Sequence, residues 1–282
     1  MATMEMNETR IAYSDKGAGE PVLLIHCSSA SGTEWQSLCE TLGEDFRSIA
    51  PDQWGCGQSD SWTGQGAFTL AEEAAPILDI IQSIGVPVHQ VGHSYGGGVA
   101  LRVARERPEM IRSLTLIEPS SFHLLGGDSP KEQALFREIA SVADAVKEAV
   151  SSGDYWGGMT RFVDYWNGEG AWDAMPHKAR MTLCQRLGKV MLDFRALFEE
   201  PADLEDYAAL PLPTLILYGE RSPGPSRRIV EMLATAMPLA RLERIPEAGH
   251  MSPLTHPVAV NAAIREHLSR TAMGATPQAW AA

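Results

Sequence analysis

Short apolar runs alternate with longer helical patterns over the first 118 residues, and this alternation constrains the fold more than any other feature of the chain. Strands that are joined through helices build a mostly parallel sheet with helices on both faces. The pattern therefore predicts an α/β protein. It places strands at about 4–7, 10–15, 21–26, 46–50, 88–91 and 113–117, and helices at about 69–84 and 95–106.

The alternation stops at about residue 121 and returns near 211, with long helical stretches between these points. A chain of 282 residues suggests roughly two structural units. The returning pattern favours one core, residues 1–120 and 211–270, that carries one helical insertion at 121–210. The insertion contains predicted helices at about 131–150 and 177–198, and the final part of the core a helix at about 225–236, a strand at 241–245 and a helix at about 257–268. Residues 271–282 have no partner pattern and are predicted to form a flexible tail.

The charge of the chain argues against two classes of partner. Its 23 basic and 36 acidic residues give a formal net charge of −13, which repels both nucleic acid and anionic membrane surfaces. Four cysteines without metal-ligand spacing favour a reducing compartment. The N-terminus shows no secretory pattern. We therefore expect a cytoplasmic protein.

The strongest chemical signal is GHSYG at 92–96, which lies between an apolar strand and a helical run. A serine on such a turn projects its Oγ from the sheet, because Gly92 and Gly96 leave room for the backbone. Ser94 is therefore the candidate nucleophile, and the N–H of Tyr95 is a candidate donor to an oxyanion. The alternative is a glycine-rich turn that carries a passive serine.

A serine nucleophile needs a base, which is usually an imidazole. Of the eight histidines, His250 is the best candidate because it lies on a loop after the last predicted strand. Such a loop can bring the side chain to the carboxyl edge of the sheet. We expect surface or packing roles for His89, His177, His256 and His267.

Taken together in this order, the motifs resemble those of the α/β-hydrolase family. They are LLIH at 23–26 followed by Trp35, PDQWGCGQSD at 51–60, GHSYGG at 92–97, LYGE at 217–220 and AGHMSP at 248–253. The resemblance implies an α/β-hydrolase fold, with a mostly parallel eight-stranded sheet and a helical cap at 121–210. It also implies Ser94 as the nucleophile and His250 as the general base. Neither a cofactor nor a metal is implied.

The acid of the expected triad departs from the usual family pattern. That pattern, G-x-x-D, here ends in Ser222, which cannot hold a negative charge beside an imidazolium. Glu118 is the preferred substitute, because it lies at the end of the strand that follows the nucleophile helix. Some lactone hydrolases and haloalkane dehalogenases resemble this arrangement, with the acid after the same strand. Glu220 is the competing candidate.

The resemblance also implies a second oxyanion donor, Ser28, two residues after the histidine of LLIH. Cys27 stands where the family usually has glycine; it is interpreted as a small packed thiol, with an alternative nucleophile as the competing interpretation. Apolar side chains of the insertion are candidates for the substrate pocket or for packing of the cap against the core. The predicted substrate-binding residues are Cys27, Trp156, Met159, Trp166 and Met251.

These features predict a serine hydrolase that cleaves a carboxylic ester or lactone of a small, largely apolar substrate through an acyl-enzyme intermediate. Carbon–carbon bond hydrolysis, amide hydrolysis and cofactor-free perhydrolysis use nearly the same residues and stay open. A non-catalytic ligand-binding protein on the same scaffold is the alternative of another class. The expected partner is a small-molecule substrate, with no nucleic acid or membrane, and a homodimer is left open.

Overall fold

One eight-stranded sheet forms the centre of the structure, a computed structural model that describes residues 2–6 and 9–272. The strand order is β1-β2-β4-β3-β5-β6-β7-β8, in which β2 is antiparallel to β1 and β4 and the other neighbours are parallel. The predicted mostly parallel sheet is confirmed. Its strands are β1 (Ala2–Met6), β2 (Thr9–Lys16), β3 (Glu20–Ile25), β4 (Phe46–Pro51), β5 (Val88–His93), β6 (Ile111–Ile117), β7 (Thr214–Gly219) and β8 (Ala240–Ile245).

Helices flank both faces of the sheet. In the described residues they are α1 (Gln36–Leu42), α2 (Leu70–Ile84), α3 (Tyr95–Glu106), α4 (Pro130–Ser152), α5 (Tyr155–Asn167), α6 (Ala171–Ala174), α7 (His177–Cys184), α8 (Leu187–Phe198), α9 (Leu204–Ala208), α10 (Gly224–Ala236), α11 (Ser252–Thr255) and α12 (Pro257–Thr271). Three short 3₁₀ helices span Gly32–Trp35, Pro108–Met110 and Phe122–Leu125. None of the described helices combines the length and the apolar composition needed to cross a bilayer.

Two apolar cores lie on opposite faces of the sheet. The smaller core joins α1 and α12 to one face, through residues such as Leu38 and Ile264. The larger core covers the other face and includes α2, α3 and α10. It continues into the helices between β6 and β7, so that this segment packs on the sheet through the same apolar cluster. Burial on both faces explains why the central strands are continuous apolar runs in the sequence.

The chain between β6 and β7 forms the helices α4 to α9 and is called the helical insertion (residues 118–213). The helix predicted over 177–198 is in fact two helices, α7 and α8, with a turn at Gln185 and Arg186. Local periodicity could not predict this break. At the turn, the Arg186 side chain donates to the carbonyl oxygens of Ser29 and Ala30, which lie far away in the sequence.

Two of the predicted segments extend beyond the described residues. Asn7, the last residue of the first predicted strand, lies outside them, and β1 ends at Met6. Of the tail predicted at 271–282, Thr271 is the last residue of α12, and residues 273–282 lie outside the described part of the chain.

The register of the parallel strands brings three strand ends to one edge of the sheet. His93 is paired with Ile117, and Ile117 with Leu217, so β5, β6 and β7 end side by side. Ser94 directly follows β5 and Glu118 directly follows β6. The carboxyl edge of a parallel sheet is where ligands bind in such folds.

The turn between β5 and α3 depends on glycines that allow close backbone contact. A Cβ on Gly96 would lie 2.3 Å from the carbonyl oxygen of Ile25, and one on Gly92 would lie 2.4 Å from that of Gly96. Neither contact is compatible with a side chain, because the atoms approached belong to the backbone. Helix α3 therefore packs closely on β3 only with glycine at position 96, and the turn from β5 into α3 needs glycine at position 92.

We expect Gly96→Ala to lower the free energy of unfolding by about 3 kcal/mol or more, since the new methyl group overpacks a rigid backbone. Gly188→Ala is the matched control, because a Cβ at this position in α8 would meet no atom within 4 Å. It should raise stability by about 0.5–1 kcal/mol through helix propensity. Urea unfolding followed by circular dichroism measures both. Equal stability of the two variants would contradict the packing argument.

Candidate active site

Three side chains form a hydrogen-bonded chain at the carboxyl edge of the sheet. The Ser94 Oγ lies 2.9 Å from Nε2 of His250, and Nδ1 of His250 lies 2.6 Å from Oε2 of Glu118. All three residues are buried. The structure therefore brings together the three residues that the sequence predicts as catalytic, in an order and geometry that permit proton transfer from the hydroxyl to the imidazole.

Ser94 has a backbone conformation that is unusual for a residue with a side chain. Its φ is 53° and its ψ is −117°. The surrounding backbone fixes this conformation, since the N–H of Ser94 donates to the carbonyl of Ile117 and its carbonyl accepts from Ser120 N. The Ser120 hydroxyl also lies 3.2 Å from the Ser94 Oγ. Strain of this kind is found where the structure must present a functional side chain.

Glu118 is a buried carboxylate with several donors. Besides His250, its Oε1 accepts from the N–H of Gly219 at 2.7 Å and from the hydroxyl of Ser222 at 2.5 Å. Burial alone would raise the pKa of Glu118, but the imidazole of His250 and these hydrogen bonds hold it below its usual value. Glu118 is therefore ionised at neutral pH. Ser222, which replaces the aspartate of the usual pattern, contributes a donor to the carboxylate.

The competing acid, Glu220, lies away from this site. Its side chain is on the surface, where it accepts from Arg244 at 2.9 Å and from the N–H of Glu247 at 3.0 Å. It makes no contact with His250 in the hydrogen bonds of the described residues. Of the two acids that the sequence left open, the geometry brings only Glu118 to the histidine.

His250 is held as a neutral base. Its burial lowers the pKa below the ordinary value of 6.5, and the Glu118 carboxylate offsets only part of this effect. The indole of Trp166 stacks on the imidazole with ring centroids 4.1 Å apart. This contact limits rotation of the ring and removes water from one of its faces. A neutral imidazole can take the proton of Ser94 at neutral pH.

A second buried histidine, His93, binds the backbone of His250. His93 Nδ1 donates to Oε1 of Glu34 at 2.5 Å, and His93 Nε2 donates to the carbonyl of His250 at 3.0 Å. Burial lowers the pKa of His93, but the Glu34 carboxylate outweighs it and the net shift is upward. The other oxygen of Glu34 accepts from the N–H of Cys27 at 2.8 Å. Glu34 was not among the residues predicted from the sequence. Its one signal there is His93, a titratable residue next to Ser94 that needs a partner when it is buried.

A small cavity of about 20 Å³ lies beside the Ser94 hydroxyl. Ser28 and Tyr95, the two predicted oxyanion donors, both border it. Neither backbone N–H is a donor in the turn and loop hydrogen bonds of the described chain. The volume holds one group of the size of an oxygen atom or a water molecule. Its position and size are those needed for an oxyanion next to the nucleophile.

A larger cavity of about 400 Å³ is bordered by Ser94 and His250. Cys27, Trp166 and Met251, three of the predicted substrate-binding residues, line it. The lining is mostly apolar, and its other members include Phe162, Val163, Ala171, Met175, Leu183 and Leu254. A neutral, apolar molecule fits such walls best.

The other two predicted substrate-binding residues lie elsewhere. Met159 is fully buried in the apolar core of the insertion, and Trp156 is 39% exposed and packs edge-on against Trp172 and beneath Arg180. Neither side chain borders the larger cavity. Their expected contact with substrate is therefore corrected: periodicity identifies apolar residues, but it cannot tell which side of a helix faces a cavity.

Cys27, Glu34 and His93 are the group in the described residues that most resembles a metal site, with donor atoms within 4.8 Å of one another. Hydrogen bonds already engage Glu34 with His93 and with the N–H of Cys27. Burial and the Glu34 carboxylate raise the pKa of the Cys27 thiol well above its usual value. The cluster therefore serves as a hydrogen-bonded support, and Cys27 stays a protonated thiol.

A buried Ser–His–acid chain at the carboxyl edge of a mostly parallel sheet is typical of hydrolases that use a serine nucleophile. The chain belongs to the alpha/beta hydrolase family, whose sequence model matches residues 22–263. This membership supports a hydrolase as the class of enzyme.

Individual relatives agree with the family. An uncharacterized protein of Mycobacterium tuberculosis is 27% identical over 251 residues, which cover 86% of this chain and 73% of that protein. The solved structure of a thermophilic esterase from Thermogutta terrifontis is 26% identical, with a TM-score of 0.75 and coverage of 95% and 97% of the two chains. MGS-M2, an alpha/beta hydrolase from a deep-sea metagenome library, has a TM-score of 0.79 at 18% identity, with coverage of 96% and 98%.

We expect Glu118→Gln to reduce kcat by about 10³–10⁴-fold, because a neutral amide cannot stabilise the imidazolium or hold the ring in the correct tautomer. Glu220→Gln is the control, since it removes a carboxylate that contacts only surface groups. Steady-state kinetics on an aryl ester would measure both variants. Near-normal turnover in Glu118→Gln, or an equal loss in Glu220→Gln, would show that Glu118 is not the triad acid.

The activity should fall as the pH drops, because a protonated His250 cannot accept the Ser94 proton. Since burial lowers the pKa of His250, the midpoint of the kcat/KM profile should lie below 6.5, and the profile should be flat between about pH 7 and 8. Glu118→Gln should move any residual profile to still lower pH, because the carboxylate raises this pKa. A wild-type midpoint above pH 7 would contradict a neutral, buried base.

Proposed function

We propose that this protein is a serine hydrolase that cleaves a carboxylic ester or lactone through an acyl-enzyme intermediate. The hydrogen-bonded chain of Ser94, His250 and Glu118, whose Ser94 borders both cavities, is the observation that carries this proposal. A nucleophile, a base, an acid, an oxyanion-sized space and a substrate-sized space are all present within one buried site. These are the components that acyl transfer needs.

In the first half of the proposed reaction, Ser94 Oγ attacks the carbonyl carbon of the substrate, and its proton passes to Nε2 of His250. The carbonyl oxygen becomes an oxyanion, which accepts from the N–H groups of Ser28 and Tyr95. Collapse of this intermediate breaks the bond to the alcohol oxygen, which takes the proton from His250. Glu118 stays ionised and stabilises the imidazolium that exists between these two transfers.

In the second half, a water molecule replaces the alcohol. His250 takes one proton of this water as the oxygen attacks the acyl carbon, and returns the proton to Ser94 Oγ when the acid leaves. The base must keep the same orientation in both halves. Stacking of Trp166 on the imidazole and the hydrogen bond from Nδ1 to Glu118 support this fixed orientation.

The walls of the larger cavity support a neutral, apolar substrate. The cavity of about 400 Å³ is large enough for a small ester or lactone and too small for a polymer. Its apolar side chains provide no partner for a charged group. The net charge of −13 adds a long-range repulsion of anions. We therefore expect an uncharged substrate whose apolar part contacts Trp166 and Met251.

The esterase from Thermogutta terrifontis supports an ester as the substrate, because it is 26% identical over 95% of this chain. A serine nucleophile supports acyl transfer, because its attack on a carbonyl forms an ester that water can cleave. Alkyl transfer would instead leave an ether on the serine, which water does not cleave readily, and it suits an aspartate nucleophile. Carbon–carbon bond and amide hydrolysis share this triad, but no contact in the cavity favours either of them.

We expect hydrolysis of p-nitrophenyl esters with neutral acyl chains, and at least about tenfold lower kcat/KM for an ester of similar size whose acyl chain ends in a carboxylate. The mostly apolar lining that the described residues form has no lysine or arginine side chain, and its few polar side chains, such as Asn167 and Thr255, only partly replace the water lost from that group. Ser94→Ala should abolish turnover of every ester in the panel. A spectrophotometric assay of p-nitrophenolate release measures these rates.

Two outcomes would contradict the proposal. A preference for the carboxylate-bearing ester would overturn the apolar substrate, and turnover in Ser94→Ala would overturn the nucleophile. Labelling with a fluorophosphonate probe separates an enzyme from a non-catalytic binder, since it requires an activated serine. Mass spectrometry should find the adduct on Ser94 in the wild-type protein and no adduct in Glu118→Gln over the same labelling time.

A further inference from the structure

The side chains of both candidate oxyanion residues end in one buried group of charges. Ser28 Oγ donates to Oδ2 of Asp193 at 2.5 Å, and the Tyr95 hydroxyl donates to Oε2 of Glu73 at 2.9 Å. The ammonium of Lys189 donates to Glu73 at 2.7 Å and also to Asp193. We call Glu73, Lys189 and Asp193 the Lys189 cluster. It connects two residues that are 67 positions apart in the sequence.

The Lys189 cluster is a rigid part of the structure. The side chains of Glu73, Lys189 and Asp193 are 0%, 9% and 3% exposed. Charges this deeply buried are stable only when they are paired and hydrogen-bonded in a fixed geometry. Burial would lower the pKa of Lys189, but the two carboxylates raise it above its ordinary value, so the ammonium stays charged. It also lies 4.6 Å from the centroid of the Tyr95 ring.

Two members of the cluster belong to the helical insertion. Lys189 and Asp193 lie one turn apart on α8, whereas Glu73 lies on α2 of the core. Arg186, at the start of α8, donates to the carbonyls of Ser29 and Ala30 at 2.5 and 3.1 Å. The α8 segment therefore holds the loop that contains Ser28 at two places. Asp193 binds the Ser28 side chain, and Arg186 binds the backbone of the next two residues.

That loop has a conformation that needs support. Ser29 has a φ of 57°, in the left-handed region, where a residue with a side chain is strained by about 1 kcal/mol or more. Such a conformation persists only when neighbouring groups fix it. Here Arg186 binds the Ser29 carbonyl, Asp193 binds the Ser28 hydroxyl, and Glu34 binds the Cys27 N–H.

We propose that Asp193 and Lys189 are positioning residues for the oxyanion hole: Asp193 orients Ser28 through its hydroxyl, and Lys189 holds Asp193 and Glu73 so that Tyr95 is fixed as well. This inference rests on the proposed function, since it concerns the donors that stabilise the tetrahedral intermediate. Seating of α8 on the core then completes the hole. An oxyanion hole depends on such preorganisation, because donors that must move at the moment of reaction stabilise less.

The charges of the cluster add a second reason for Lys189. Asp193 borders the small cavity together with Ser28 and Ser94, so its carboxylate lies close to the expected oxyanion. A lone carboxylate there would destabilise that charge. The ammonium of Lys189, which is shared with Glu73, offsets part of this charge while leaving the Asp193 oxygen free to accept from Ser28. Lys189 therefore lowers the electrostatic cost of an acidic side chain at this position, whereas the orientation of Ser28 needs only the accepting oxygen.

The first test is a double-mutant cycle of Ser28→Ala, Asp193→Ala and the double variant, with kcat and KM for a neutral p-nitrophenyl ester. If Asp193 acts through the Ser28 hydroxyl, each single variant should lose about 10–100-fold in kcat, and the double variant should lose no more than the worse single one. The KM should change less than about threefold, because the oxyanion exists only in the transition state.

Three further variants separate positioning from stability. Asp193→Asn keeps an oxygen that accepts from Ser28 and should recover most of the activity lost in Asp193→Ala. Glu199→Gln, directly after the same helix, removes a half-exposed carboxylate that pairs with Arg195, and should keep wild-type kinetics. Ser94→Ala reports on the proposed function itself. All assays are made well below the melting temperature of each variant, which is measured by circular dichroism.

A transition-state analogue gives a readout that loss of stability does not change. When Ser94 Oγ adds to the carbonyl of an aryl trifluoromethyl ketone, the adduct places an oxyanion in the hole. The Ki of this inhibitor for Asp193→Ala should therefore rise by the same factor by which kcat/KM falls. Wild-type kcat in Asp193→Ala, or losses in Ser28→Ala and Asp193→Ala that multiply in the double variant, would overturn the positioning role. Turnover in Ser94→Ala would instead overturn the proposed function, so the two failures are distinguishable.

Discussion

The hydrogen bond between His250 and Glu118 is the interaction on which the rest of the site depends. A carboxylate without solvent contact is stable only when donors replace the water that it has lost. Glu118 receives these donors from His250, from the backbone of Gly219 and from Ser222, and so ties β6 to β7 and to the loop after β8. The same bond sets the tautomer that leaves Nε2 free to accept from Ser94.

The sequence predicts the elements of the fold well because their signals are local. Strand runs, helical periodicity and the return of the strand pattern near 211 are each contained within a few neighbouring residues. Ser94 could be identified in the same way, since its glycines and its strand-turn-helix context are adjacent to it. The break between α7 and α8 could not be predicted, because the Arg186 side chain at the break donates to backbone carbonyls more than 150 residues away.

The groups that support the site make contacts with residues that are distant in the sequence. For this reason they could not be predicted from the sequence. Glu34 contacts a histidine 59 residues away, and Asp193 contacts a serine 165 residues away. Nothing next to these acids distinguishes them from surface acids. Ser222 stands where the usual acid would be, and the sequence could not predict its actual contact: in the fold it donates to Glu118, which follows the neighbouring strand.

Buried charge around Ser94 is arranged so that each carboxylate has a positive or donating partner on a different element. Glu118 is paired with His250, Glu34 with His93, and the two acids of the Lys189 cluster with Lys189. Apart from Lys189 and Asp193, which lie on one helix, these pairs join segments that are distant in the chain. Removal of one partner therefore leaves a buried charge unpaired and loosens the groups around Ser94. Stability and alignment of the site therefore come from the same contacts. The helical insertion takes part in this arrangement through α8, and other residues of the insertion, such as Phe162 and Trp166, line the larger cavity.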